Sequence, residues 1–279
     1  MPLGRRWNPG VWAIALVAAP VALGSAYSLA ASVGLAGAGA GEFAPGRLLG
    51  VLSAAETWRS VGWTVWTAAV ATVLASAGAM LIAILLRGVK GARALAVIPL
   101  AVPHVAGALA VLLLLGQSGL LSRVAFALGW TSQPADFPPL IYDRPGIGLI
   151  LAFAWKELPF LALTALAVRD TRSSLLEEVA RTLGANRRAT WRRVTLPLLW
   201  RGMAPSIIAV FAFLLGQYEM AVLLGPSDPL PLPVLTYERS MDSVLPRRGE
   251  AHALALIALG LTLLLVIMHE MVRQPEDDA

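Results

Sequence analysis

Two adjacent ionisable residues interrupt an otherwise apolar part of the chain. Lys156 and Glu157 lie in the segment FAWKELPF, with hydrophobic residues on both sides. Charged side chains at membrane depth are costly, so they are expected to face a water-filled cavity, the interior of a helix bundle or each other. The sequence leaves two roles open for this pair: a contact that orients neighbouring helices, or part of a translocation path.

A second polar group lies in the segment LLGQYEMAVLLGP, which contains Gln217 and Glu219. These two side chains could line the same path, and the carboxylate of Glu219 would suit a cationic cargo. A single carboxylate near a membrane interface could also simply be solvated. The sequence leaves both interpretations of Glu219 open.

The residues that would support catalysis or metal binding do not form a pattern. The chain has no cysteine, and its three histidines are too far apart for the i, i+4 pairing of a zinc helix. No G-x-x-x-x-G-K-[ST] sequence is present to hold nucleotide phosphates. We therefore expect that the chain is not an enzyme and binds no metal or cofactor itself, and that any ATP and Mg²⁺ are bound by another chain.

The composition predicts the elements that must position these residues. The 279 residues are 57% hydrophobic and 14% charged, with a mean hydropathy of +0.71. A soluble domain has about 25% charged residues. The sequence therefore predicts an all-α membrane protein, a single domain over residues 1–279 with six transmembrane helices. The predicted spans are 11–36, 61–86, 94–115, 146–168, 198–224 and 251–272. The intervening stretches 37–59, 117–144 and 225–250 are predicted to be loops, the first with an amphipathic or interfacial end.

The distribution of basic residues predicts the orientation. With both termini inside, fourteen of the 22 lysines and arginines lie on or near the cytoplasmic face, seven lie on the other face, and Lys156 lies within a span. The bias follows the positive-inside rule and places loop 169–197 in the cytoplasm. Because topology accounts for the arginines, we expect no nucleic-acid partner.

A polar, arginine-rich segment, residues 173–197, follows the fourth predicted span. Apolar residues recur in it at helical spacing, at positions 175, 176, 179, 180 and 183. This pattern predicts a short amphipathic helix. Ser174 and Glu177 have the spacing of a capping box, Gly184 is placed to end the helix, and Pro197 is placed to open the next one. Such a helix could lie on the bilayer as a plain connector.

The order of residues in this segment resembles the cytoplasmic signature loop of permease subunits of ATP-binding-cassette importers. That loop has the form E-A-A, three residues, G, nine residues, I-x-L-P. The matching positions are Glu178, Ala180, Gly184, Val194, Leu196 and Pro197. Val179 replaces an alanine and Val194 replaces the isoleucine. Trp155, Lys156, Pro159 and Phe160 are similar to the W-K-x-x-P-F segment that precedes the loop in many such permeases.

The resemblance implies a type I importer permease fold, with a cytoplasmic coupling helix between the fourth and fifth spans. It also implies a bacterial inner-membrane location and several partners: the lipid bilayer, an ATPase dimer, a second permease subunit (related or identical) and an extracytoplasmic substrate-binding protein. The residues expected to couple to the ATPase are Leu176, Glu178, Val179, Ala180, Leu183, Gly184, Ala185, Leu196 and Pro197.

The cargo is less defined. The stretch around Gln217 and Glu219 is similar to permeases of polyamine, ferric-ion, thiamine and oxyanion importers, so a small solute of that kind is expected. Sugar importers share the other motifs and are the alternative. An ion-coupled secondary transporter is the remaining competitor, although it would carry its own coupling-ion site and often two similar halves.

Overall fold

The computed structural model describes residues 9–86, 91, 94, 98–170 and 174–277, and within them every regular element is helical. Six helices are long and apolar enough to cross a membrane, which confirms the predicted number of spans; the third lies further along the chain than the predicted 94–115. They are Trp12–Ser32, Ala55–Leu85, His104–Ala127, Ile147–Val168, Arg187–Leu215 and Leu245–Met271. Several basic residues of the charge count lie outside the described residues: Arg5, Arg6, Arg87, Lys90, Arg93 and Arg172. The proposed capping box also depends on a side chain, that of Ser174, that is not described.

The helices are numbered here in chain order. They are α1 (Pro9–Ser32), α2 (Pro45–Ser53), α3 (Ala55–Leu85), α4 (His104–Leu115), α5 (Leu120–Ala127), α6 (Ile147–Val168) and α7 (Ser174–Thr182). They continue with α8 (Arg187–Leu215), α9 (Tyr218–Leu224), α10 (Leu232–Ser240) and α11 (Leu245–Asp277).

The chain forms two compact units, the first made of residues up to Thr57 together with Leu235–Leu263. An ion-pair group stabilises this unit: Arg239 contacts Glu56 at 2.6 Å and Glu250 at 3.7 Å. The ring of Tyr27 meets the ring of His252 edge-on, with centroids 5.5 Å apart. These contacts bring the C-terminal part of the sequence against the N-terminal part within the unit.

The second unit, Trp58–Val234 together with the residues from Leu264 onward, contains all the candidate site residues. One face of α3 in this unit carries a row of buried small residues. These are Ala68, Ala71, Ala75, Ala79 and Ala83, each 0–1% exposed. Small residues at i, i+3 and i+4 allow neighbouring helices to approach closely. Helix α6 packs against both α4 and the Leu196–Leu215 part of α8.

Three stretches predicted as loops contain helical structure instead. Helix α2 and the first turns of α3 lie within 37–59, α5 lies within 117–144, and α10 and the start of α11 lie within 225–250. Proline at the first turn of α2 explains part of the difference, because its fixed φ favours a helix start there. Proline and glycine were interpreted as loop signals although both also occur at helix ends.

The fifth predicted span also differs from the structure. Helix α8 begins at Arg187 and ends at Leu215. The helix is then interrupted at residues 216–217 before α9 starts at Tyr218. The main α-helical part of α8, Leu196–Leu215, has Pro197 in its first turn, as predicted, but it continues directly from a π-helical turn at Trp191–Thr195. Proline is tolerated there because the first turn of an α-helix leaves its N–H groups without an α-helical partner.

Candidate functional site

Helix α7 presents an apolar face that no described residue of the chain covers. The exposed fractions are 70% for Leu175, 45% for Leu176, 49% for Val179 and 82% for Leu183. A single exposed leucine on a soluble surface needs no explanation, but three leucines and a valine on one short helix and the residue that follows it form a patch. The amphipathic pattern was predicted correctly, and its apolar side is the outward one.

The opposite side of α7 is anchored by a buried carboxylate. Glu177 is 2% exposed, and its Oε1 accepts a 2.7 Å hydrogen bond from Oγ1 of Thr195 in α8. Nη2 of Arg169 lies 3.5 Å from the same oxygen, and Nη2 of Arg181 lies 3.7 Å from Oε2. A buried charge is tolerated only when it is paired and hydrogen-bonded, and these contacts meet that condition.

Arg169 extends this anchor to a further helix. It directly follows α6, is 8% exposed, and donates through Nη1 to the backbone carbonyl of Ala83 near the end of α3. Glu177 and Arg169 therefore join α7 to the ends of α3, α6 and α8.

The sequence pattern assigned Glu177 only to a capping box with Ser174 and did not predict this role. The available signal was the Glu177–Arg181 pair at i, i+4, which is a favourable spacing on a helix. The partners Arg169 and Thr195 are 8 and 18 residues away, and no local pattern connects them to Glu177.

The end of α7 has the backbone structure that the sequence predicted. Gly184 has φ +85°, the N–H of Gly184 donates to the carbonyl of Arg181, and the N–H of Ala185 donates to the carbonyl of Ala180. This pair of bonds is a Schellman motif, which satisfies carbonyls that a helix end leaves free. Asn186 then caps the next helix, since its Oδ1 accepts a 2.8 Å bond from the N–H of Ala189.

The remaining predicted coupling residues occupy different positions. Glu178 is exposed on α7, and Ala180 and Ala185 are half-buried. Leu196 and Pro197 lie within α8, half-buried and exposed respectively, beside the Thr195 that contacts Glu177. The structure thus brings the apolar residues of α7 onto one face, while the L-P pair belongs to the helix on which α7 is anchored.

Lys156 and Glu157 line a cavity of about 360 Å³, together with residues of α4 and α8. Oε1 of Glu157 lies 3.4 Å from Nε2 of His104, and Nζ of Lys156 donates to the carbonyl of Pro99 at 3.2 Å. The ring of Phe213 lies 5.4 Å from that of His104. Both roles left open by the sequence therefore retain support, since the pair contacts other elements and also lines a cavity.

Gln217 and Glu219 do not line this cavity. Gln217 is buried at the break between α8 and α9, and Glu219 is exposed in the first turn of α9. Within the described ranges, no group of three His, Cys, Asp or Glu side chains could hold a metal ion.

Comparison with known protein families assigns this chain to a family. The sequence profile of the family described as "Binding-protein-dependent transport system inner membrane component" matches residues 89–274, which include α7, its anchor and the cavity. The chain belongs to this family. It is accordingly a multi-pass inner-membrane protein, as the sequence predicted.

Several curated proteins are similar to this family member. The inner membrane ABC transporter permease protein YnjC of Escherichia coli K12 is 36% identical over 178 residues, 61% of this chain and 33% of that protein. The molybdenum transport system permease protein ModB of Mycobacterium tuberculosis is 31% identical, covering 61% of this chain and 65% of that one. The thiamine transport system permease protein ThiP of Brucella abortus is 26% identical, covering 79% and 40%. The chain thus spans from a third to just under two thirds of these relatives.

Solved structures share the fold. A chain of a bacterial ABC transporter involved in the import of the acidic polysaccharide alginate superposes with a TM-score of 0.69, at 18% identity, covering 95% of this chain and 92% of that one. A chain of a bacterial alginate ABC transporter in complex with an alginate pentasaccharide-bound periplasmic protein gives a TM-score of 0.67, also at 18% identity, covering 93% of this chain and 89% of that one. This likeness confirms the predicted importer-permease fold.

Proposed function

We propose that this chain is the membrane permease subunit of an ATP-driven importer and that α7 docks in a groove of a separate ATPase. The observation that carries the proposal is the geometry of α7: an exposed apolar face on one side and a buried carboxylate anchor on the other. An interfacial connector would turn its apolar face toward the lipid and would not require Glu177 to be buried at the ends of three spans.

The partners follow from this proposal. An ATPase dimer carries the ATP and Mg²⁺, a second permease subunit completes the path, and a substrate-binding protein delivers the cargo on the other side. Both termini and α7 then face the cytoplasm. The permease names of the relatives and the periplasmic protein in the alginate complex support this assembly.

Within this scheme α7 transmits movement of the ATPase to the spanning helices. Closure of the ATPase dimer would push on Leu176, Val179 and Leu183, and the Glu177–Arg169 anchor would pass the displacement to the ends of α3, α6 and α8. The cavity with His104 and Glu157, between α4, α6 and α8, then forms part of the path that opens and closes. Glu178, exposed beside the apolar face, is the side chain proposed for a polar contact with the ATPase.

We place a small molybdenum oxyanion first as the cargo and thiamine second. Relatives named for molybdenum transport are 30–31% identical to this chain, and those named for thiamine transport are 26% identical. Polyamines, ferric ions and sugars, expected from the sequence motifs, belong in the same screen.

The test is copurification followed by a screen for stimulated ATP hydrolysis. The complex purified through this chain, with its binding protein, should hydrolyse ATP faster when molybdate, or in the second case thiamine, is added. Stimulation only by a polyamine, ferric chelate or sugar would reject the cargo assignment, and absence of any ATPase would reject the permease assignment.

Two matched variants test the docking face. Val179 is 49% exposed on α7, and Val244 is 50% exposed outside the spans. Fully burying a valine side chain is worth about 1.5–3 kcal/mol, and about half of Val179 is still exposed, so Val179→Asn should weaken ATPase binding about fourfold to tenfold. Val244→Asn should leave binding unchanged. Equal binding by both variants would place the docking surface elsewhere.

A further inference from the structure

A large cavity lies beneath α7, on the side away from its apolar face. Its volume is about 940 Å³, and its walls include Leu85, the last residue of α3, and Arg187, the first residue of α8. Because these residues are the ends of spanning helices, the cavity lies at the boundary between the membrane and the aqueous phase.

The charge of this cavity is strongly positive. Four arginines and a single carboxylate, Glu177, line it. The carboxylate is already shared between Arg169 and Arg181. Arg187 and Arg188 are exposed, and no hydrogen bond or ion pair joins their side chains to the part of the chain that the structure describes. Two guanidinium groups therefore remain available to an anion.

The other walls have the character of a lipid site. Trp191 and Ile84 join Leu85 to form an apolar side, and the hydroxyl of Thr190 is polar. Guanidinium groups bind phosphate oxygens through paired N–H donors, and tryptophan is enriched at membrane interfaces. Basic pockets between spanning helices on the cytoplasmic side bind phospholipid headgroups. An apolar wall beside two arginines suits a phosphate that carries acyl chains better than a free ion.

We propose that this cavity binds the phosphate group of an anionic phospholipid, with Arg187 and Arg188 as the phosphate-binding side chains. Trp191 and Leu85 contact the upper part of the acyl chains. The site rests on the cytoplasmic orientation of the proposed function but depends on neither the cargo nor the ATPase. If the arginines only set the membrane orientation, their number matters and their exact positions do not. Lipid binding at this site instead requires arginines at the positions that line the cavity.

The chain offers a matched control for placement. Arg192 and Arg193 belong to the same basic segment, are exposed, and do not line the cavity. The double variant Arg187→Gln/Arg188→Gln and the double variant Arg192→Gln/Arg193→Gln lose the same charge. Their comparison separates a defined site from diffuse attraction to an anionic membrane.

The experiment uses the full chain with its copurified partners in nanodiscs of phosphatidylcholine and phosphatidylglycerol in equal amounts. Native mass spectrometry measures the lipids retained. The wild type should retain phosphatidylglycerol preferentially. Each arginine removed from the site should lower that retention about fivefold, so the 187/188 variant should lose about 25-fold and the 192/193 variant less than twofold.

A second arm identifies the source of the phosphate. Titration with inorganic phosphate in phosphatidylcholine nanodiscs should show no binding below millimolar concentrations if a lipid is the ligand. Tight phosphate binding that is lost only in the 187/188 variant would assign the same site to a free phosphate. Equal losses in the two double variants, or neither lipid enrichment nor phosphate binding, would overturn the proposal.

Discussion

Replacing Glu177 by glutamine should separate ATP hydrolysis from transport. The side chain of Glu177 is 3% exposed, and that of Arg169 is 10% exposed. Glutamine keeps the shape of the side chain but removes the charge that balances Arg169. Removing one partner of a buried ion pair costs about 3–5 kcal/mol.

The lower end of that range applies here. Arg169 retains its hydrogen bond to the carbonyl of Ala83, and Arg181 is about half exposed, so solvent screens its contribution. A cost of about 3 kcal/mol shifts the equilibrium between anchored and detached α7 by about 150-fold toward the detached state. We therefore expect α7 to detach locally, while the spans remain inserted.

Transport and ATP hydrolysis measured in the same proteoliposomes give the readout. For Glu177→Gln, the cargo transported per ATP should fall at least tenfold while hydrolysis continues. Backbone hydrogen exchange in residues 174–182 should become faster. A purely structural defect would lower the amount of inserted protein instead, without changing the ratio.

Neighbouring substitutions serve as controls. Glu178→Gln, at an exposed residue on the same helix, should leave hydrogen exchange in α7 unchanged. Thr195→Val removes the one hydrogen bond of 2.7 Å and should give a smaller effect of about tenfold. If Glu177→Gln changed neither the exchange of α7 nor the transport per ATP, the anchoring role would be refuted.

Three further substitutions test other parts of the account. At Gly184, with φ +85°, valine should cost about 1–2 kcal/mol and lower transport, whereas asparagine should be tolerated; equal transport by both variants would contradict the strained turn. Glu157→Gln removes the charge opposite His104 and should lower transport at least tenfold without reducing ATPase copurification; normal transport would remove Glu157 from the path. Hydrogen bonds from Ser132 and Gln133 hold the pKa of the Asp136 carboxyl below its ordinary value. The stability they contribute to this turn should be present above pH of about 3.9 and lost as pH falls through the lower folded pKa, while Asp136→Asn should show no such loss in hydrogen exchange.

The sequence predicted the features that local patterns encode. Six apolar stretches gave the spans, and helical periodicity with Gly184 gave α7 and its end. The spacing of the signature loop predicted an importer permease, and the family match confirms that prediction. Each of these features depends on residues a few positions apart, where spacing reflects the geometry of a helix.

The features that sequence reasoning missed depend on distant residues. Periodicity shows that α7 has two faces but not which one the protein covers, so the burial of Glu177 against Arg169 and Thr195 was not predicted. The contact between His104 and Glu157 joins residues 53 positions apart. The break after Leu215 was missed because apolar residues resume from Met220 to Leu224, so residues 198–224 together have the length and composition of one span.

Site-specific crosslinking tests the central claim most directly, because the chain contains no cysteine. A single Val179→Cys substitution places a thiol on the exposed face of α7, and Val244→Cys places one at nearly equal exposure in a segment outside α7. Treatment of the purified complex with a short thiol-to-amine crosslinker should join the Val179→Cys chain to an ATPase and leave the Val244→Cys chain unlinked. A complex in which an ATPase is present but is not joined through residue 179 would contradict docking at α7.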